Sequence, residues 1–158
     1  MSPARRDGLP NTVARYRGAE MRIAFGTDER TNLTEAIAAK LSVDGHDVVV
    51  VADGIAWPDA GRAVGEAVVD GRADLGVVCC WTGTGVSIAA NKVPGIRAAL
   101  CTDAETARGA RRWNDANVLA MGLRLTSPEV AKEMLDAFLT TQPDESERDN
   151  IARLSSSP

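Results

Sequence analysis

The chain has 158 residues, of which 44% are hydrophobic, 25% are charged and only 4% are aromatic. This length and composition predict one soluble α/β domain with a sizeable core. The formal net charge of −4 gives no electrostatic basis for binding nucleic acid or an anionic membrane. No apolar run approaches the roughly 18 residues of a membrane span. From the charge and this pattern together, we expect neither a nucleic-acid partner nor a membrane partner.

The chain has few of the residues that build redox or metal sites. The cysteines are Cys79, Cys80 and Cys101, and the single histidine is His46. An odd count with two adjacent cysteines argues against a disulfide framework, and one histidine cannot build a His-rich metal site. The N-terminal arginines lack the apolar core of a secretory signal behind them. We therefore expect a reducing cytoplasm and no structural metal.

Strands and helices alternate along the chain. Residues 1–20 are polar without apolar periodicity, so we expect a mobile extension or an arm that docks on a partner subunit. Residues 21–142 form the single predicted domain, and the tail 143–158 is expected to be helical over 145–154 and to pack on the partner. The patterns predict strands at 21–25, 47–52, 75–79, 97–101 and 117–121, and helices at 32–44, 59–70, 85–91, 103–112 and 128–141.

This alternation predicts a Rossmann-like α/β/α sandwich with a five-stranded parallel sheet. The expected strand order is 2-1-3-4-5, which places a topological switch point between strands one and three. The ends of these two strands then lie side by side. We therefore expect Asp28 and Glu29, after strand one, beside Cys80, Trp81 and Thr82, after strand three.

A glycine-containing turn follows the third strand. Gly83 and Gly85 permit a tight turn, and the strand, turn and helix start aim backbone N–H groups at one point that can hold an anion. The Cys80 thiol at its edge can take a proton while these N–H groups stabilise an oxyanion; alternatively, Cys80 is a small buried hydrophobic residue. The third glycine of a dinucleotide fingerprint and a Walker lysine are both missing, so no nucleotide cofactor is expected.

Two longer strings carry a family resemblance. Residues 83–99, which read G-T-G-V-S-I-A-A-N-K-V-P-G-I-R-A-A, and residues 114–122, N-D-A-N-V-L-A-M-G, resemble the ribose-5-phosphate isomerase B family. This family includes the galactose-6-phosphate isomerase subunits. The resemblance implies homodimers, with tetramers left open, that interconvert aldose and ketose phosphates without metal or cofactor. It also implies active sites at the dimer interface.

The resemblance assigns roles around the glycine turn. Asp28 matches the aspartate that contacts the sugar ring oxygen and hydroxyls. Cys80 matches the base of the cysteine-bearing branch of the family. The anion hole for the enediolate matches Thr82, Gly83 and Gly85.

Other matching residues lie later in the chain. Asn114 matches a substrate hydroxyl contact contributed across the interface, and Arg124 matches a phosphate-binding arginine. Arg148 or Arg153 matches the C-terminal arginines that complete the phosphate site, and the local alignment leaves the choice between them open.

Several family positions are altered here. Glu29 replaces a histidine, so it is either a substitute proton shuttle or a solvated loop carboxylate. Trp57, Trp81 and Trp113 replace a tyrosine, a glycine and a histidine, which indicates a smaller, more apolar substrate pocket or ordinary packing. Because His46 is the only histidine, no imidazole is expected to open a sugar ring. A four-carbon sugar 4-phosphate, which cannot close a furanose ring, suits this change.

The leading prediction is therefore an aldose–ketose isomerase acting on a small sugar phosphate of the ribose 5-phosphate type or on a tetrose 4-phosphate. Two alternatives remain. The protein is an isomerase or epimerase of a sugar without phosphate, or it is a non-catalytic family member.

Overall fold

The computed structural model describes residues 20–155, so the predicted extension 1–20 lies, apart from Glu20, outside the described residues. The strands are β1 Arg22–Thr27, β2 Asp47–Asp53, β3 Leu75–Cys80, β4 Ala98–Leu100 and β5 Val118–Gly122. The helices are α1 Asn32–Val43, α2 Trp57–Val69, α3 Thr84–Asn91, α4 Ala104–Asn114, α5 Pro128–Thr140 and α6 Arg148–Arg153. A 3-10 turn at Glu145–Glu147 precedes α6, so the helix expected over 145–154 is present in two pieces.

All five strands pair in parallel in the order β2-β1-β3-β5-β4. The α/β fold class is therefore confirmed, whereas the predicted order 2-1-3-4-5 is wrong for the last two strands. The burial of these strands matches the exchange. β5 is buried along its whole length and takes the interior position, while the three residues of β4 are only half-buried and form the edge.

The helices follow from the same strand order. Crossovers between parallel strands are right-handed, so the direction of each step in the sheet decides which face its helix covers. The step from β4 back to β5 reverses direction, which puts α4 on the face of α1, while α2 and α3 share the other face. With the order 2-1-3-4-5, α4 would have crowded the face of α2 and α3. One core cluster accordingly contains side chains of α1, α4 and α5, and the second contains those of α2 and α3.

Small residues bring α2 and α3 very close together. A Cβ atom added to Gly61 of α2 would lie 2.7 Å from both the Ala89 Cβ and the Val86 carbonyl oxygen of α3. Such an approach leaves no room for a larger side chain. The packing fixes the position of α3, and with it the start of α3 at the carboxyl end of β3.

Gly83 joins β3 to α3 in a space that admits no side chain. Its φ of +77° lies in the left-handed region, which glycine adopts without steric cost. An added Cβ would lie 2.6 Å from Leu100 Cδ1 and 2.7 Å from the Met121 carbonyl carbon.

We expect Gly83→Ala to lower the free energy of unfolding by about 2–4 kcal/mol. The cost of a left-handed backbone for alanine adds to the cost of forcing its Cβ into an occupied space. Gly71→Ala is a matched control, because Gly71 has a φ of +76° with nothing within 4 Å of an added Cβ. It should cost only about 1 kcal/mol. Urea unfolding of both variants measures the difference, and equal losses would contradict the packing argument.

Candidate active site

Cys80 ends β3 and is almost fully buried, with 5% of its surface exposed. Its carbonyl oxygen accepts a hydrogen bond from the Leu123 backbone N–H at 2.9 Å, and the Trp81 carbonyl accepts one from the Arg124 N–H at 2.9 Å. The segment after β5 is thereby tied to the turn after β3. The backbone of Arg124 therefore lies at the Cys80 edge of the sheet, with its side chain exposed.

The neighbouring strand end contributes Asp28. Its backbone N–H donates to the Cys79 carbonyl at 3.3 Å, so strands one and three bring their polar ends together as expected. The Asp28 Oδ1 atom is buried and has no hydrogen-bond partner among the described residues. Burial raises the pKa of the Asp28 carboxyl, and the nearby Glu29 carboxylate raises it further. This oxygen is available to accept a hydrogen bond from a ligand.

The Glu29 side chain is exposed. Its backbone is held by Thr27, whose hydroxyl donates to the Glu29 carbonyl at 2.7 Å and accepts from the Glu29 N–H at 3.2 Å. The exposed side chain lies beside Asp28, and both sequence hypotheses for it, a proton shuttle and a solvated loop carboxylate, stay predictions.

The start of α3 has its first backbone N–H groups available. Thr31, Asp103 and Ser127 cap α1, α4 and α5 with side-chain oxygens. In the described part of the chain, no side chain caps α3, which follows Gly83. The first N–H groups of a helix have no intrahelical acceptor and attract anions. The uncapped start of α3 is thus suited to stabilising an oxyanion.

Two hydroxyl groups flank this helix start. Thr82 Oγ1 lies 2.8 Å from Thr84 Oγ1, and either oxygen can donate. Thr84 was missed at the sequence level, although a hydroxyl side chain inside a glycine turn is a signal that could have found it.

The other two cysteines, Cys79 and Cys101, are also buried. Burial raises the pKa of the Cys79 thiol to about 12 and that of the Cys101 thiol to about 12. Both therefore remain protonated at neutral pH. By its position at the strand end, Cys80 is the candidate proton acceptor among the three.

The three tryptophans do not share one pocket within the chain. The Trp57 ring lies against Gly85, where an added Cβ would be 2.8 Å from Trp57 Cε3, so it covers the first turn of α3. Trp81 is exposed in the turn after Cys80. Trp113 packs on Gly109 of its own helix, near the carboxyl end of α4.

A second group of predicted residues lies at the amino ends of the strands, opposite to the carboxyl end where Cys80 lies. Asn114 ends α4, whose 11 residues span about 16 Å, and it lines a groove of about 420 Å³ with Arg97 and Leu154. The tail is tied to the same end of α4, because the Asp144 N–H donates to the Arg112 carbonyl at 2.7 Å. Trp113, Arg148 and Arg153 belong to this second group. Arg148 pairs with Glu145 at 2.6 Å.

A charged cluster fixes the turn after Asn114. Asp115 has a left-handed backbone with φ of 45°, and its carboxylate is 3.2 Å from Arg97 Nη2 and 2.9 Å from Arg111 Nη1. Arg97 Nε also donates to the Asp115 carbonyl at 2.7 Å. The buried Arg111 guanidinium lies 5.5 Å from the centre of the Phe138 ring. This cluster, which sequence reasoning missed, presents Asn114 in a defined direction.

Within residues 20–155, no group of three or more histidine, cysteine or acidic side chains could hold a metal ion. No helix in this range has the length and apolar character needed to cross a bilayer.

A family model described as ribose/galactose isomerase matches residues 23–155, which is most of the chain. The chain belongs to the ribose/galactose isomerase family. The family resemblance and the prediction of an isomerase of the aldose–ketose class are thereby confirmed.

Relatives of this isomerase have different named substrates. It is 40% identical to ribose-5-phosphate isomerase B of Escherichia coli over 77% of this chain and 85% of that protein. It is 36% identical to D-erythrulose-4-phosphate isomerase of Pectobacterium atrosepticum over 76% of this chain and 83% of that protein. The match to the putative sugar phosphate isomerase YwlF of Bacillus subtilis is 48% identical but spans only 54% of this chain and 58% of that protein.

The fold of the isomerase is also found in solved structures. Ribose-5-phosphate isomerase B of Clostridium thermocellum superposes with a TM-score of 0.80 at 38% identity. The match covers 85% of this chain and 95% of that one.

We expect Asp28→Asn to raise the Tm at pH 7.5. The pKa of the Asp28 carboxyl is raised in the folded state, so the folded state tolerates the charge less well than the unfolded state, and the substitution removes that charge. The gain should shrink as the pH falls toward about 4, where the unfolded carboxyl is also protonated.

Glu29→Gln is the matched control for this experiment, because the Glu29 side chain is exposed. It should change the Tm far less. A loss of stability in Asp28→Asn at pH 7.5 would contradict the burial argument.

Proposed function

We propose that this protein interconverts the aldose and ketose forms of a small sugar phosphate through a cis-enediolate, with Cys80 as the base. One observation carries this proposal: a buried thiol ends β3 directly beside the uncapped start of α3. Family membership supports the reaction class.

In this mechanism the Cys80 thiolate removes the proton from the carbon next to the carbonyl group. The electron pair left behind forms the enediolate, and the resulting thiol returns the proton to the adjacent carbon. The negative charge on oxygen is stabilised by the first N–H groups of α3 and by the Thr82 hydroxyl. Fixed donors of this kind contribute several kcal/mol each to stabilising an oxyanion.

The acidic residues bind and shuttle protons. Asp28 Oδ1, buried and without a partner among residues 20–155, accepts a hydrogen bond from a substrate hydroxyl and gains the partner it lacks. Glu29 lies next to Asp28 with an exposed carboxylate, and it relays the proton between the two enediolate oxygens. Gly83 and Gly85 let the backbone approach the substrate closely.

We further propose a homodimer. Each active site combines residues at the carboxyl ends of the strands of one protomer with residues at the amino ends of the strands of the other. Asp28, Cys80 and Thr82 lie at one edge of the sheet, while Asn114 is separated from them by the length of α4. A two-fold interface brings the same two surfaces together twice. Each site then receives Asn114, Trp113 and an arginine of the tail, Arg148 or Arg153, from the partner subunit, and Arg124 from its own chain. Pairing of dimers into tetramers stays a prediction.

A mixed dimer tests this arrangement. Cys80→Ala and Asn114→Ala should each lower kcat/KM by about a hundredfold or more. A dimer of one copy of each, purified through two different tags, holds one intact site and one doubly altered site. It should recover about half of the wild-type activity. A mixed dimer as inactive as its parents would contradict a shared site, and an active Cys80→Ala homodimer would contradict the proposed base.

For the substrate we propose a four-carbon sugar phosphate. His46 is the only histidine in the chain, and its Nδ1 accepts a hydrogen bond from the Met21 N–H at 3.3 Å at the start of β1. It therefore lies at the start of β2, the outer strand of the sheet, opposite to Cys80 and three strands away from β5, which Asn114 precedes. We accordingly do not expect it in the site of either subunit. A tetrose 4-phosphate has no free hydroxyl with which to form a furanose. The Trp57 ring over Gly85 narrows the site, and one relative is named D-erythrulose-4-phosphate isomerase.

We expect kcat/KM for erythrose or erythrulose 4-phosphate to exceed that for ribose 5-phosphate by at least about tenfold, a difference of ~1.4 kcal/mol. A coupled assay with each sugar measures this ratio. Faster turnover of ribose 5-phosphate would contradict the four-carbon proposal and leave the reaction class intact.

One observation favours a second candidate, an isomerase or epimerase of a sugar without phosphate. Arg148 is paired with Glu145, which reduces the charge available for a phosphate group. Turnover of free tetroses at the rate of their phosphates would support this second candidate.

The combination of Asp28, Cys80, Thr82 and Asn114 argues against a non-catalytic family member, which would not need these groups.

We also propose a cytoplasmic location. All three cysteines are free, and thiols persist in reducing compartments.

A further inference from the structure

The hydroxyl pair at the start of α3 involves a residue to which no role has been assigned. Thr82 and Thr84 lie on either side of Gly83, and their Oγ1 atoms are 2.8 Å apart. The positive φ of Gly83 turns the chain between them. Both threonines are exposed in the single chain, at the helix start where the proposed enediolate charge develops.

The number of protons in this pair limits what it can do. Each threonine hydroxyl has one proton and two acceptor lone pairs. The bond between the two oxygens uses one of the two protons, and the second remains to be donated outward. A hydroxyl that accepts a hydrogen bond also becomes a better donor, because hydrogen bonds in a chain polarise one another.

We propose that Thr84 is a positioning residue whose hydroxyl donates to Thr82 Oγ1 and directs the Thr82 proton toward the enediolate oxygen. This inference rests on the proposed function. A hydroxyl without such a partner rotates freely, and it must be reoriented when charge develops in the transition state. A donor that is already oriented avoids this reorganisation.

A purely structural role for the Thr84 hydroxyl has little support. Thr84 is the first residue of α3, and within the described range no side chain caps this helix. Thr31, Asp103 and Ser127, by contrast, stabilise helices by accepting backbone N–H groups. Removal of the Thr84 hydroxyl should therefore affect catalysis more than folding.

The test compares Thr84→Val, which keeps the shape but removes the hydroxyl, with Thr84→Ser, which keeps the hydroxyl. We expect Thr84→Val to lower kcat by about tenfold, less than the loss of a direct oxyanion donor, with KM changed less than about twofold. Thr84→Ser should recover most of the lost rate. Binding of a hydroxamate mimic of the enediolate should weaken by the same factor as kcat/KM in Thr84→Val, and the Tm should be unchanged.

Thr106→Val is the matched control, because Thr106 is an exposed threonine in the first turn of α4, which packs on the face of the sheet opposite to α3. It should keep the wild-type rate. The Thr84 inference is overturned if Thr84→Val keeps the wild-type kcat while Cys80→Ala is inactive, and the proposed function then still holds. Equal losses in Thr84→Val and Thr84→Ser would also overturn it. If Cys80→Ala keeps the wild-type rate, the proposed function fails, and this inference fails with it.

Discussion

The close contact between the β3–α3 turn and the end of β5 is the constraint on which the proposed site depends. A side chain at Gly83 would collide with Leu100 and Met121, and one at Gly122 would come within 2.7 Å of the Thr82 carbonyl oxygen. Two glycines on opposite sides of one contact thus allow the backbones to touch. This contact fixes the end of β3 at Cys80, the start of α3 and the point where the chain leaves β5. The thiol, the helix N–H groups and the Arg124 backbone therefore keep fixed relative positions.

The sequence allowed the fold class and the meeting of the polar ends of β1 and β3 to be predicted, because both follow from local patterns. β3 is a continuous apolar run followed by glycines, and the ends of β1 and β3 meet wherever a parallel sheet has its switch point. The exchange of β4 and β5 was missed because strand alternation does not specify the direction of each step. The short Ala98–Leu100 strand lies at the edge of the sheet and the wholly buried Val118–Gly122 strand lies inside it, and burial is a property of the folded chain.

Sequence reasoning also missed interactions that depend on left-handed backbone positions. Asp115 forms ion pairs with Arg97 and Arg111 because its φ of 45° turns the chain after α4. The hydroxyls of Thr82 and Thr84 form their hydrogen bond across the turn at Gly83. The left-handed backbone of Asp115 is not indicated by its residue type, and a glycine at position 83 indicates a turn but not which side chains meet across it. The three tryptophans were also predicted to lie near one pocket. In the folded chain Trp57 and Trp81 lie near the start of α3, whereas Trp113 lies near the end of α4.

The contact of Trp57 with Gly85 has a consequence for observing the protein in solution. The indole ring covers the first turn of α3 and is 47% exposed. An anion arriving at this turn displaces water next to the ring, and indole emission depends on the polarity of its surroundings. If the proposed site binds its ligand at this turn, the emission of Trp57 would report occupancy without an added label.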